Sequence, residues 1–126
     1  MEENGTIFLQ NNKKNDQEQM PKEDRRIIFE FDEAYKAIYA MSVQREIKKP
    51  PAGMITSIKA HLGDDNKVMV HLENPMDNSE ASVEYSRDFL AAALMLYCRG
   101  LGIPLPKNAS KSVMLNDERI ALRVQI

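Results

Sequence analysis

A chain of 126 residues, 43% apolar and carrying a formal net charge of −2, suits one domain with its own core and is too nearly neutral for a dominant electrostatic nucleic-acid footprint. Its single Cys98 excludes an internal disulfide framework, and no apolar run approaches the ~18 residues of a membrane span. The acidic opening Met1-Glu2-Glu3 lacks a secretory pattern, so the expectation is a cytoplasmic protein with no membrane partner. The Asn4-Gly5-Thr6 and Asn108-Ala109-Ser110 sequons then count as chance matches, because glycosylation requires secretion.

Residues 1–24 read as a disordered polar tail. Asn, Gln, Lys, Glu and Asp dominate from Gln10 to Asp24, and such a segment buries too little apolar surface to offset its ordering entropy. Ile7-Phe8-Leu9 interrupts the tail. It is either a loosely attached apolar spot or a short motif that adds to a sheet edge, here or on a partner.

Residues 25–126 read as a single α+β domain. From Arg26, Ile27, Phe29 and Phe31 alternate with Ile28 and Glu30, a strand pattern. A continuous helix from about Glu23 also fits Ile27, Phe31, Ala34, Ile38 and Met41; the alternation favours the strand. Asp32 then caps a helix from Glu33 to about Lys48, with Ala34, Ala37, Ile38, Met41 and Arg45 on or beside one face, ended by Pro50-Pro51.

Two alternating runs follow, Met54 to Leu62 and Val68 to Leu72, joined at Gly63-Asp64-Asp65-Asn66. Matching apolar to apolar pairs Leu62 with Val68, Ala60 with Val70 and Ile58 with Leu72. Val83 to Tyr85 can add a short strand. Ser86 caps a second helix, residues 87–99, whose run from Phe89 to Cys98 is apolar nearly all round. Gly100 or Gly102 ends it, and Pro104 and Pro106 prevent its resumption. A last hairpin pairs Val113 with Leu122 and Leu115 with Ile120, and Val124 and Ile126 continue the buried face. The order is β-α-β-β-(β)-α-β-β: an antiparallel sheet of about five to six strands and two helices in two layers.

No motif for catalysis stands out, and no catalytic, metal or cofactor residue is assigned. In the register above, His61 and His71 become diagonal neighbours on the outer sheet face near Glu73, with Lys59 opposing any cation. Cys98 lies at a helix C-terminus, which disfavours the thiolate. Gly102 to Ser112 lacks the second glycine of a phosphate loop and follows a helix instead of preceding one. Loop cations gather at Lys22, Arg25 and Arg26; at Arg45, Lys48 and Lys49; and at Lys107 and Lys111.

The apolar helix raises the main functional question. If Phe89, Ala93, Leu96 and Tyr97 face the sheet, Leu90, Leu94, Met95 and Leu101 need cover from the first helix or from outside the chain. The expectation is a non-enzymatic protein-binding or self-associating module, with those four as interaction residues and a homodimer or protein partner. The alternatives are a nucleic-acid-binding module using the Lys/Arg loops, and a small enzyme without a recognisable motif.

Overall fold

The structure, a computed structural model, describes residues 22–126. Its elements are β1 (Asp24–Phe29), α1 (Phe31–Gln44), β2 (Met54–His61), β3 (Asp64–Asn74), β4 (Ser79–Ser86), α2 (Arg87–Gly100), β5 (Ser110–Leu115) and β6 (Ile120–Gln125). This is the α+β order read from the sequence. The six strands form two three-stranded antiparallel sheets, β1-β6-β5 and β2-β3-β4. The island at Ile7-Phe8-Leu9 and nearly all of the tail lie outside the described residues.

Residues 24–29 are a strand, which removes the continuous-helix alternative. Phe29 ends it in the core, and the chain turns directly into α1. The expected cap at Asp32 is displaced to Glu30, whose N–H donates to the Glu33 carboxylate at 3.0 Å while Ala34 N–H reaches Glu30 O at 3.0 Å. Phe31 therefore opens the helix instead of closing the strand. Ala34, Ala37, Ile38 and Met41 are buried as the spacing predicts, and Ser42 joins them by donating its hydroxyl to Ile38 O at 2.8 Å.

Helix α1 stops at Gln44, well before Pro50-Pro51. Its terminator is a backbone motif: Ile47 N–H bonds to Ser42 O at 3.0 Å and Glu46 N–H to Val43 O at 3.1 Å. Glu46 takes the left-handed φ of 56° that this motif requires, a conformation that glycine adopts at no steric cost and glutamate does not.

The β2–β3 register differs from the expected one by two residues. Ala60 faces Val68, Ile58 faces Val70 and Ile55 faces Leu72, with irregularities at Ile55/Ser57 and Ala60/His61. The turn tightens onto Leu62-Gly63: Gly63 N–H donates to His61 Nδ1 at 3.0 Å, and Asn66 N–H to Asp64 Oδ1 at 2.9 Å. A shift of two keeps Ile58, Val68, Val70 and Leu72 on the core face, but it leaves Leu62 fully exposed at the turn. Gly53, just before β2, has φ +147°, and an added Cβ would lie 2.8 Å from Glu73 O, so only glycine fits there without strain. Strand β4 is longer than expected and places Ala81, Val83 and Tyr85 opposite Leu72, Val70 and Val68. The β5–β6 register is the expected one, with a four-residue loop whose Asn116 Oδ1 accepts from Glu118 N–H at 2.9 Å and Arg119 N–H at 2.8 Å. Val124 is buried as expected; Ile126 is exposed.

Helix α2 is the centre of the molecule. Ser86 Oγ accepts from Phe89 N–H at 3.0 Å, the expected cap, and Asp88 lies in the first turn. The helix packs against α1, against β3 and β4 of one sheet, and against β5 and β6 of the other. That explains why it is apolar nearly all round. The two helices run antiparallel: Arg45 at the end of α1 sits over the Phe89 ring at 5.4 Å, while Phe29 at its start meets Tyr97 edge-on at 6.1 Å. Where the sheets approach, between β2 and β5, no ladder forms. Arg87 bridges the gap, with Nε donating to Asp65 O at 2.7 Å and Nη1 to Val113 O at 3.0 Å.

Candidate binding groove along helix α2

The end of α2 builds a candidate site. Ile103 N–H bonds to Cys98 O at 2.9 Å and Gly102 N–H to Arg99 O at 3.1 Å, with Gly102 at φ +76°. These two bonds are those of a Schellman motif, and they reverse the chain against its own helix. Ile103 then tucks against the core, and the prolines at 104 and 106 prevent the segment from coiling again. It runs on as an extended wall beside the last turns of α2.

Between the helix and this wall lies an open groove of about 660 Å³. Met95 and Arg99, four residues apart and so on one helix face, form one side. Ile103, Pro104 and Leu105 form the other, and Lys107 and Lys111 close the rim. The uncharged lining is largely aliphatic, and the charged side chains of the lining are Arg99, Lys107 and Lys111. Among the described residues no carboxylate lines the groove, and none forms an ion pair with Arg99, Lys107 or Lys111. Lys111 Nζ donates to the Ala109 carbonyl at 3.2 Å. Arg25, at the entry to β1, adds a fourth cation nearby: its Nη2 donates to the Pro104 carbonyl, and its Nε stands 3.4 Å from the Glu23 carboxylate.

The four residues expected to mediate interaction divide between core and surface. Leu90 and Leu94 have 0% exposure. Of the two covers open to them, the first helix or something outside the chain, it is the chain itself that buries them, with α1 and both sheets packed on α2. Met95 lines the groove, and Leu101, 59% exposed, precedes the groove residue Gly102. Helix amphipathicity could not locate this groove, since half of it comes from the segment after the helix. The Gly-x-Pro punctuation at 102–104 was the available signal for the reversal.

The loop cations converge in part. Arg25 meets the Lys107–Lys111 group through Pro104. Arg45 belongs to the opposite end of α2, a helix of 14 residues and so ~20 Å long, and Lys49 sits over the Tyr39 ring of α1. The histidines are not diagonal neighbours. His61 reaches the turn, where Nε2 lies 3.4 Å from Glu84 Oε1, and the same carboxylate pairs with Lys67 Nζ at 3.1 Å. His71 stands opposite Ser57 and hydrogen-bonds Ser82 Oγ. The two-residue register change separates them. Cys98 is fully buried, and burial pushes its thiol up from the ordinary range, against a smaller opposing pull from Arg25.

No helix among the described residues is long and apolar enough to cross a membrane. Comparison of the chain with known family models, with curated proteins and with solved structures finds no significant match.

Proposed function

We propose that this protein is a non-enzymatic protein-binding module, and that the groove along α2 holds a segment of partner polypeptide combining carboxylates with aliphatic or aromatic side chains. The observation that carries the reading is the pairing of three cations, Arg99, Lys107 and Lys111, with the apolar lining of Met95, Ile103 and Leu105, with no acidic residue among the described residues of the lining. An acidic segment satisfies the rim, and its apolar residues gain ~25 cal/mol per Å² of apolar surface removed from water. Charge complementarity of this kind also raises the association rate and fixes the register of the bound segment.

The same cations favour a second reading, a contact with nucleic-acid phosphates. The lining weighs against it: bases stack on rings, and Met95, Ile103, Pro104 and Leu105 offer no aromatic face. A homodimer through Leu90 and Leu94 loses its warrant, because both are spent on the chain's own core.

The test is fluorescence anisotropy with a labelled peptide of alternating Glu and Leu, titrated against the protein and against Arg99→Glu/Lys107→Glu. Saturable binding that weakens on charge reversal and on added salt is expected. Absence of binding, or binding indifferent to the double substitution, would overturn the reading. Retention of a single-stranded RNA oligomer in place of the peptide would favour the nucleic-acid alternative.

A further inference from the structure

We infer that the groove has a resident occupant in this chain, the segment Glu2-Glu3-Asn4-Gly5-Thr6-Ile7-Phe8-Leu9, which competes with the partner for the same surface. The inference rests on the groove being the protein-binding surface. The segment itself lies outside the described residues, and three observations point to it.

The first is composition. The groove calls for carboxylates next to apolar side chains. Residues 2–9 supply Glu2 and Glu3 followed at a short distance by Ile7, Phe8 and Leu9, and no Lys or Arg occurs before Lys13. The match is therefore of both charge and hydropathy, and no cation in the segment opposes the rim.

The second is the point of entry. The described chain arrives at β1 beside the groove, since Arg25 contacts the carbonyl of Pro104, a groove residue. Asp24 and Ser110 both stand opposite Gln125, on either side of β6, so the start of β1 lies across one strand from the residue that precedes Lys111. The third is reach. Residues 9 and 22 are joined by a stretch that extends to at most ~43 Å at ~3.3 Å per residue. A groove adjoining residue 25 falls well inside that radius. A tether of this length holds its end at an effective concentration on the order of millimolar. Weak intrinsic affinity is enough to keep the groove occupied, and a partner then has to displace the segment.

The experiment compares the full chain with a full-length variant, Glu2→Lys/Glu3→Lys/Phe8→Ser, each titrated with the labelled Glu-Leu peptide. Far-UV circular dichroism checks that both are folded. If residues 2–9 occupy the groove, the variant binds the peptide about tenfold or more tighter than the unmodified chain, and Arg99→Glu/Lys107→Glu abolishes that difference. Equal, groove-dependent affinities would overturn the resident occupant and leave the binding function standing. No binding to either chain would overturn the binding function itself, and the occupant with it. As an independent measurement, carbodiimide coupling of the unmodified chain should join Glu2 or Glu3 to Lys107 or Lys111 within a single copy. Coupling found only between copies, at twice the chain mass, would overturn the intramolecular assignment.

Discussion

Leu94→Glu should unfold this protein. Leu94 has no exposed surface and sits in α2 where that helix meets α1 and both sheets. Its neighbours along the buried face, Leu90 and Cys98, are at 0% exposure, and Ile38 of α1 is at 1%, so little around the site can relax inward. Truncation to alanine should cost about 3–5 kcal/mol, the upper part of the range for buried leucines. Glutamate adds the cost of a carboxyl group without a hydrogen-bond partner, a further few kcal/mol. The sum is comparable to the ~5–15 kcal/mol that holds a domain together. Urea unfolding followed by circular dichroism measures the alanine variant, and sedimentation velocity reports the mass. Leu101→Glu is the control. At 59% exposure it should move stability by no more than ~0.5 kcal/mol. The reasoning fails if Leu94→Glu keeps the wild-type midpoint and sediments at half the wild-type mass, because that would make this face a dimer interface.

Other expectations follow from single contacts. Arg87→Ala removes both bonds that tie the two sheets, and should lower stability by about 1–3 kcal/mol by urea titration, with Arg87→Lys recovering part of the loss. Glu46→Gly places the preferred residue at the left-handed end of α1 and should raise stability by about 1 kcal/mol, read as an increase in Tm. Cys98 should react with a thiol reagent only as fast as the native state opens, because burial both blocks access and disfavours the thiolate; fast labelling in the absence of denaturant would contradict its place in the core. Asp24 makes a two-pronged contact with Arg123, at 3.0 and 2.8 Å, which holds its carboxyl below its ordinary value of 3.8. A lowered folded-state pKa stabilises above the unfolded value and ceases to do so as pH falls through the folded one. The stability gap between wild type and Asp24→Asn should therefore be full at neutral pH and close as pH drops below 3.8.

Local chemistry was legible wherever one side chain and its near neighbours decide the outcome. Ser86 as a cap, a glycine reversal at Gly100 or Gly102 and the Val113–Leu122 pairing follow from spacing and residue type alone. The errors fell where two local solutions compete. Asp32 and Glu30 can both open α1, and the Glu33 carboxylate settles the choice by taking the Glu30 N–H. Leu62 satisfies alternation on paper, yet a tighter turn at Leu62-Gly63, with irregular pairing beyond it, forms a two-residue-shifted ladder and leaves Leu62 in water. That shift also moves His61 away from His71, so the histidine cluster disappears with the register that created it.

By itself the sequence determined an α+β chain with two helices, the Ser86 cap and the glycine-ended stop of the second, and that this second helix is too apolar to face water. Those properties follow from side-chain period and from backbone conformations that are local. Only the tertiary structure decided what covers that helix and which surface remains. Burial depends on contacts between residues far apart in the chain: α1, β3, β4, β5 and β6 all close on α2, and Leu90 and Leu94 disappear between them. The groove depends on them too, since its cations come from the helix end and from the segment folded back on it, with Arg25 brought alongside by β1. Periodicity locates an apolar face, but whether that face meets another element of the same chain is set by the packing of the whole domain.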